Sequence, residues 1–213
     1  MTNINAWLAG RAILFFARLI TAVRGIWHGC DPAPVQRVYF ANHTSNGDFV
    51  LIWTVLPANL RAQTRPVAGS DYWLTSKLRS FIGRDVFNAV LIDRRAKERA
   101  EDPMELMLEA LDAGDSLIIF PEGTRNTTDD PLLSFKSGIY NMSCARPEVE
   151  FVPVWIENLN SVMPKGRIVP IPLICTVTFG KAIRVQQGEA RQDFLSRAEK
   201  ALLSLSKAVR GAA

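Results

Sequence analysis

A chain of 213 residues, with 48% hydrophobic and 22% charged residues, has the composition of a globular protein and is long enough to hold a complete active site. Its net charge of +4 is modest, and its basic residues are not interleaved with aromatic ones outside the N-terminal segment, so no nucleic-acid partner is expected. The three cysteines lie far apart without a C-x-x-C pair, which argues against a disulfide framework or a zinc site and favours a reducing compartment.

The N-terminal segment is rich in large apolar side chains. A helix is predicted over residues 4–27, apolar on most of its circumference. Its large side chains, which cannot all face one small core, include Trp7, Phe15, Phe16, Ile20 and Trp27. A core helix is one interpretation, but we favour a helix in a membrane interface, with its rings among the acyl chains and its arginines at the headgroups. We therefore divide the chain into a membrane-associating helix at 1–30 and one further domain at 31–213.

From residue 31 onward, the hydrophobic pattern alternates between strands and helices. Helices are predicted to begin near Asp48, Asp71 and Asp102. The predicted strands cover residues 38–41, 66–68, 90–92, 116–120, 151–156 and 174–179. This alternation is typical of an α/β layered domain, so we expect a single-domain central β-sheet flanked by helices.

Two of the predicted helices have a continuous apolar face. The first has Asp102 as its N-cap and Pro103 at its first helical position, and Gly114 follows its end. Its apolar residues fall three and four apart, at Met104, Met107, Leu108 and Leu111. The last helix carries a similar stripe, formed by Phe194, Leu195, Ala198, Leu202 and Leu205.

The turn NHTSNGD holds a histidine and an aspartate five residues apart. His43 follows a predicted strand, Asp48 opens the next helix, and the Asn-Gly pair between them supplies a tight turn that brings the two side chains together. Asp48 can then hold the Nδ1 proton of His43 and leave Nε2 free as a base. The alternative is a turn histidine beside an N-cap aspartate, and a lone His-x4-Asp pattern does not distinguish the two.

Two further strand ends carry groups that suit an anion. In FPEGTRN, Gly123 lets the backbone approach a ligand and Arg125 offers a bidentate fork for phosphate. The alternative is a surface turn with a solvated pair between Arg125 and Glu122. In LIDRRAKER, Arg94 is nearest to a strand end, whereas the later basic residues fit a solvated helix face. Three strand ends thus present a base, a Glu-Gly-Thr-Arg loop and an anion-binding arginine.

Other catalytic schemes find no support in the motifs. The sequence has no G-x-S-x-G elbow, no G-x-x-x-x-G-K-[ST] phosphate loop and no G-x-G-x-x-G fingerprint. His28 could be a second functional histidine, but its place at the end of an apolar stretch beside a tryptophan favours a packing or interfacial role. Neither a metal nor a cofactor is predicted.

Four segments, NHTSNGD, FPEGTRN, FKSGIYNMS and FVPVWIEN, follow one another in the order and spacing of known motifs. They resemble the N-H-x4-D, F-P-E-G-[ST]-R, F-K-x-G and V-P-V segments of the glycerolipid acyltransferases typified by 1-acylglycerol-3-phosphate acyltransferase. The resemblance covers about residues 38–158. A further motif of the family, G-x-x-[FIL]-x-x-R, is matched only in part, because Leu91 and Arg94 fit it whereas Asn88 stands in place of its glycine. The chain also departs from the family at residues 46–47, where large apolar residues are common. Both departures bear on the identity of the acceptor.

The resemblance implies a mechanism and a set of site residues. His43 would act as general base on an acceptor hydroxyl, oriented by Asp48, as that hydroxyl attacks the thioester of acyl-CoA or an acyl carrier protein without a covalent acyl-enzyme. Those thioesters are co-substrates, and no other cofactor is implied. The residues implied to bind substrate are Arg94, Glu122, Gly123, Thr124 and Arg125.

The implied reaction acylates the free hydroxyl of 1-acyl-sn-glycerol 3-phosphate and forms phosphatidic acid. Arg94 and Arg125 would hold the acceptor phosphate, and Glu122 would orient the acceptor hydroxyl or its neighbouring arginine. The N-terminal helix would hold the enzyme as a peripheral protein on the cytoplasmic face of the inner membrane. Two alternatives stay open: another lysolipid acceptor, such as lyso-ornithine lipid, and a non-catalytic lipid-binding module. The presence of both His43 and Asp48 favours an enzyme.

Overall fold

The structure is a computed structural model that describes residues 3–93, 102–157 and 174–211. Within these residues, seven strands form one sheet. The strands are β1 (Arg24–Trp27), β2 (Arg37–Ala41), β3 (Thr64–Gly69), β4 (Val90–Ile92), β5 (Ser116–Ile119), β6 (Glu150–Glu157) and β7 (Thr176–Phe179). Their order across the sheet is β1-β7-β6-β2-β5-β3-β4. The strands predicted from the sequence are confirmed, with boundaries shifted by at most two residues.

The five neighbouring strands from β6 to β4 run parallel to one another. At one edge of this group β7 runs antiparallel to β6, and β1 pairs in parallel with β7. Phe40 of β2 lies between Ile119 of β5 and Pro153 of β6. The chain segments that leave β2 and β5 therefore emerge side by side at the carboxyl edge of the sheet, which is where ligands bind in open α/β sheets.

Helices cover both faces of the sheet and confirm the expected α/β architecture. Because side chains alternate along a strand, Tyr39 packs with the first two helices on one face, and Phe40 packs with the last three on the other. The helical segments are α1 (Ile4–Thr21), α2 (Asp48–Val55), α3 (Ala58–Ala62), α4 (Ser70–Trp73), α5 (Lys77–Phe81), a π-helical segment (Ile82–Val86), α6 (Pro103–Asp112), α7 (Gly138–Ala145) and α8 (Arg191–Arg210).

The two helices with predicted apolar faces form as expected. The side chain of Asp102 accepts the backbone N–H of Met104 at 2.9 Å, which confirms it as the N-cap of α6. In α6, Leu111 is buried, and the other three residues of the stripe pack half-buried against the same core. In α8 the whole stripe is buried, namely Phe194, Leu195, Ala198, Leu202 and Leu205.

The helix predicted over residues 4–27 is too long. α1 ends at Thr21, Ala22 takes a left-handed conformation with a φ of 43°, and the chain then forms β1. Trp27 does not belong to a membrane-facing helix, because its ring stacks on Phe179 of β7 with the centroids 4.0 Å apart. The short RGIW stretch fits a helix end or an edge strand equally well. Pairing with β7, near the other end of the chain, decides in favour of the strand.

The helix predicted to begin near Asp71 is divided into short pieces. α4 starts one residue earlier and ends at Trp73, and the helical conformation resumes only at Lys77. Ser76 caps this second start, since its side chain accepts the backbone N–H of Arg79 at 3.3 Å. The serine that interrupts the hydrophobic pattern is thus a helix boundary.

α1 presents most of its large apolar side chains to solvent. The residues that it buries include Ala6, Gly10 and Leu14. By length and composition α1 is apolar enough to cross a membrane, and only 17% of it is buried in the protein. This exposed apolar surface supports association with a membrane, whereas the boundary at residue 30 stays a prediction. The large apolar residues exposed on α1 are Ile4, Trp7, Leu8, Phe15, Phe16 and Leu19.

Candidate active site

His43 and Asp48 meet at the carboxyl edge of the sheet. The turn between β2 and α2 brings Nδ1 of His43 to 2.9 Å from Oδ2 of Asp48. The same oxygen accepts the backbone N–H groups of Thr44 at 2.6 Å and Ser45 at 2.9 Å. Asp48 is fully buried, and Oδ1 has no hydrogen-bond partner among the described residues. The imidazole of His43 and the two backbone N–H groups therefore share one carboxylate oxygen, Oδ2 of Asp48.

The histidine ring is held on its face as well as on its edge. The ring of His43 stacks on Phe120, which follows β5, with the centroids 4.2 Å apart and the planes inclined by 21°. The His43 side chain is 19% exposed and lines a cleft. With Nδ1 directed at Asp48, Nε2 is the nitrogen left for a substrate proton. This geometry is that of an oriented base, whereas an isolated turn histidine needs no such partners.

Glu122 connects the histidine turn to the FPEGTRN loop. Its carboxylate is almost completely buried, and Oε1 accepts the backbone N–H of His43 at 2.7 Å. Oε2 accepts the backbone N–H of Leu133 at 2.9 Å. Burial raises the pKa of Glu122, and the hydrogen bonds from Leu133 and His43 oppose that rise. The solvated pair with Arg125 that was considered from the sequence does not form, because Glu122 faces the protein interior.

A second link between the two loops, and one between neighbouring strands, stabilises the site. The backbone N–H of Asn126 donates to the carbonyl oxygen of His43 at 2.6 Å. Asn42, which precedes the histidine, is buried and exchanges two hydrogen bonds with the backbone of Ile156 in β6, at 3.0 and 2.8 Å. The backbone on both sides of the imidazole is therefore fixed.

The residues of the FPEGTRN loop take different positions. Gly123 has a φ of +69°, a conformation that favours glycine, and Thr124 and Arg125 are exposed on the wall of the cleft. Gly123 was expected to admit a ligand, yet the side chain of Lys136 crosses it, with Cε 2.7 Å from the place a Cβ would take. Arg94 lies outside the described residues, so its role stays a prediction.

The cleft has a volume of about 680 Å³, within the usual range for small-molecule sites. It opens at the carboxyl edge of β3, β4 and β5, and its lining combines polar groups from the histidine turn and the FPEGTRN loop with apolar walls. Asn46, from the turn that departs from the usual motif, also lines it. The apolar part of the lining includes Phe49, Val67, Tyr72, Trp73, Ile92, Met107, Ile119, Phe120, Ile139 and Met142.

Sequence reasoning missed three residues that shape this site: Asn42, Phe120 and Lys136. Each belongs to one of the segments that resemble the acyltransferase motifs. The motifs as a whole could therefore have indicated these residues, whereas the chemistry of the single residues did not. Their contacts join segments far apart in the chain. As for metals, no group of three His, Cys, Asp or Glu side chains within the described residues could hold an ion.

Comparison with known proteins identifies the family. Residues 28–157, which include the histidine turn and the FPEGTRN loop, match the model of the Acyltransferase family. The chain belongs to the Acyltransferase family. Among solved structures, the crystal structure of the 1-acyl-sn-glycerophosphate acyltransferase PlsC from Thermotoga maritima superposes with a TM-score of 0.72 at 20% sequence identity, covering 97% of this chain and 83% of that one. That similarity shows a common fold.

Two plant acyltransferases are similar to this chain in sequence. The chloroplastic 1-acyl-sn-glycerol-3-phosphate acyltransferase of Arabidopsis thaliana is 29% identical over 135 residues, which cover 61% of this chain and 34% of the plant protein. A chloroplastic protein of the same name from Brassica napus is 28% identical over 135 residues, covering 61% of this chain and 35% of its own length. The match thus spans about a third of these relatives.

Proposed function

We propose that this protein transfers a fatty acyl group from acyl-CoA or acyl carrier protein to the free hydroxyl of 1-acyl-sn-glycerol 3-phosphate, forming phosphatidic acid. The observation that carries the proposal is the buried Asp48 at 2.9 Å from Nδ1 of His43, at a cleft shared with Arg125. Membership of the Acyltransferase family and the names of the similar proteins support it. No further cofactor and no metal takes part in this proposal.

In the proposed reaction, Nε2 of His43 removes the proton of the acceptor hydroxyl as its oxygen attacks the thioester carbonyl carbon. The tetrahedral intermediate then collapses, the carbon–sulfur bond breaks, and the departing thiolate receives the proton from Nε2. Asp48 stabilises the imidazolium that exists between these two transfers. General-base assistance of this kind contributes about 10²–10⁴-fold in rate, and holding both substrates in place contributes further.

The polar and the apolar parts of the cleft bind different portions of the substrates in this proposal. Arg125 offers a planar fork to the phosphate of the acceptor, and Thr124 lines the same wall. Arg94 is proposed as a second phosphate ligand. The apolar lining accommodates the acyl chains next to the base. Glu122 contributes by fixing the backbone of His43, so that the imidazole keeps its position as substrates enter and leave.

The exposed apolar residues of α1 explain how such an enzyme reaches its lipid substrates. We propose that α1 lies in the interface of the inner membrane at its cytoplasmic face, with Trp7, Phe15 and Phe16 among the acyl chains. Arg11 and Arg18 are exposed on the same helix and suit anionic headgroups. Lysophospholipid acceptors and phosphatidic acid reside in this membrane, so diffusion along its surface supplies the cleft.

The test is acyl transfer by the purified, detergent-solubilised protein, with labelled oleoyl-CoA as donor and lysophosphatidate as acceptor. We expect labelled phosphatidate as the product. A parallel reaction uses acyl carrier protein as the acyl carrier, and further reactions offer lyso-ornithine lipid and other lysolipids as acceptors. Transfer only to a lysolipid without a phosphomonoester would overturn the acceptor assignment. Lipid binding with no transfer from any donor to any acceptor would favour a non-catalytic module instead.

A further inference from the structure

Lys136 lies on the wall of the cleft in a fixed backbone setting. Its own N–H donates to the carbonyl oxygen of Pro121 at 2.8 Å. The preceding residue, Phe135, is buried, and its N–H donates to Glu199 at 2.8 Å. α7 begins two residues after the lysine, at Gly138. The chain therefore presents this lysine at one place on the wall.

The side chain of Lys136 extends over the FPEGTRN loop. Its Cδ, Cε and Nζ atoms lie 2.8, 2.7 and 3.0 Å from the place where a Cβ on Gly123 would be. Such distances are below van der Waals contact, so only glycine at position 123 leaves room for the side chain in this course. In this conformation the ammonium group lies beside Gly123. The preceding residue is Glu122, whose Oε1 accepts the backbone N–H of His43 at 2.7 Å.

The charge of Lys136 is not neutralised within the described part of the chain. Neither its ammonium group nor the guanidinium of Arg125 has a hydrogen-bond or ion-pair partner there, although both line the cleft. The carboxylate oxygens of Glu122 accept backbone N–H groups instead. Elsewhere, basic residues pair with carboxylates, such as Arg65 with Asp115, Arg146 with Asp112 and Arg197 with Glu189.

We propose that Lys136 binds a phosphate group and acts with Arg125 as a two-cation clamp for the phosphomonoester of the acceptor; this rests on the proposed function. A phosphomonoester carries about −1.5 to −2 charges at neutral pH and three acceptor oxygens, more than one guanidinium fork satisfies. The compact ammonium of lysine adds donors from a second direction. The acceptor phosphate is favoured over the phosphates of CoA because the acceptor hydroxyl must approach His43, to which this loop is bonded.

Kinetic constants of the Lys136→Met variant test the assignment. Methionine keeps an apolar side chain of similar length over Gly123 and removes the charge, whereas Lys136→Arg keeps the charge. Removing a hydrogen-bonded charge from a phosphate site corresponds to about a 10- to 100-fold loss in affinity. We expect KM for lysophosphatidate to rise by this factor in Lys136→Met, with KM for oleoyl-CoA unchanged and a smaller effect in Lys136→Arg. Lys181→Met, at an exposed lysine outside the cleft, is the control.

Each contrary outcome has a definite meaning. A rise in KM for oleoyl-CoA alone would assign Lys136 to the phosphates of the donor and overturn the clamp for the acceptor. Equal losses with lysophosphatidate and with 1-acylglycerol, which has no phosphate, would mean that the lysine only supports the loop. Unchanged constants in Lys136→Met would show that the cleft binds its acceptor without this cation.

A binding measurement that needs no turnover separates this inference from the proposed function. The chain has two histidines, so the imidazole signals of histidine-labelled protein are few, and His43→Ala assigns them. We titrate the protein with sn-glycerol 3-phosphate and follow the His43 signal. Saturation in the wild type, with a midpoint about 10- to 100-fold higher in Lys136→Met, supports the phosphate site even if no acyl transfer is found. Equal midpoints in the two proteins overturn it.

Discussion

The Asp48→Asn substitution separates the chemical role of Asp48 from its structural role. Oδ2 accepts Nδ1–H of His43 and the N–H groups of Thr44 and Ser45, at distances of 2.6 to 2.9 Å. Asparagine has nearly the same shape, and its amide oxygen can accept the same three hydrogen bonds without the negative charge. We therefore expect the turn to persist while the imidazolium of His43 loses its counter-charge.

The size of the effect follows from these contacts. A hydrogen bond to a charged group contributes about 1.5–3 kcal/mol and a neutral one about 0.5–1.5 kcal/mol. The three weakened bonds are partly offset because a fully buried carboxylate no longer has to be desolvated. We expect Asp48→Asn to lower the free energy of unfolding by roughly 1–3 kcal/mol. The loss in kcat should be about 10²–10⁴-fold, the range of general-base assistance, with KM changed by less than about threefold.

The assay combines steady-state kinetics of acyl transfer with urea unfolding of the same samples, at a temperature where both proteins are folded. Asp102→Asn is the matched control, since Asp102 caps α6 outside the cleft and asparagine caps a helix about as well. A kcat close to the wild-type value in Asp48→Asn, together with a lower unfolding midpoint, would show that Asp48 only shapes the turn and that its charge does not assist catalysis.

The other predictions concern the loop, its glycine and the exposed helix. Burial raises the pKa of Glu122 from its ordinary value of 4.5, so the folded state binds a proton more tightly than the unfolded state. Relative to Glu122→Gln, the wild type should therefore gain stability in urea unfolding as the pH is lowered towards 4.5, and lose that gain as the pH rises through the raised pKa. Gly123→Ala and Gly188→Ala should lower the free energy of unfolding by similar amounts, because both glycines have a positive φ and the end of the flexible Lys136 side chain can move away from a Cβ at position 123. The left-handed conformation costs roughly 1–2 kcal/mol for alanine, and a much larger loss in Gly123→Ala would show that the Lys136 side chain cannot move aside. Changing Phe15 and Phe16 to glutamate should weaken flotation with anionic vesicles by more than about tenfold and leave the unfolding midpoint unchanged; unaltered flotation would reject α1 as the membrane contact.

The main strands and the two striped helices could be predicted because each is encoded by a local hydrophobic pattern. The stripe of α8 and the N-cap at Asp102 require no knowledge of distant residues. β1 was missed for the opposite reason. Its four residues become a strand only because β7 lies beside them, and stacking of Trp27 on Phe179 supplies the packing. A pattern read along the chain cannot contain that information.

The same distinction applies to the site. The pairing of His43 with Asp48 spans one turn, so the spacing of the two residues indicated it. The hydrogen bonds of Glu122 to the backbone of His43 and Leu133, and the course of Lys136 over Gly123, depend on how separate loops pack. Backbone groups are the same in every residue, so no sequence pattern reveals which of them a buried carboxylate will accept.

The role of His43 as the general base is tested by comparing the two histidines of the chain in one assay. His43→Ala and His28→Ala are each offered labelled oleoyl-CoA and lysophosphatidate, and circular dichroism shows whether each variant is folded. His43 lines the cleft, whereas His28 is exposed beyond the end of β1. We expect formation of phosphatidate to fall by at least about 10²-fold in His43→Ala and to stay near the wild-type rate in His28→Ala. A folded His43→Ala variant that transfers at the wild-type rate would contradict this role of His43.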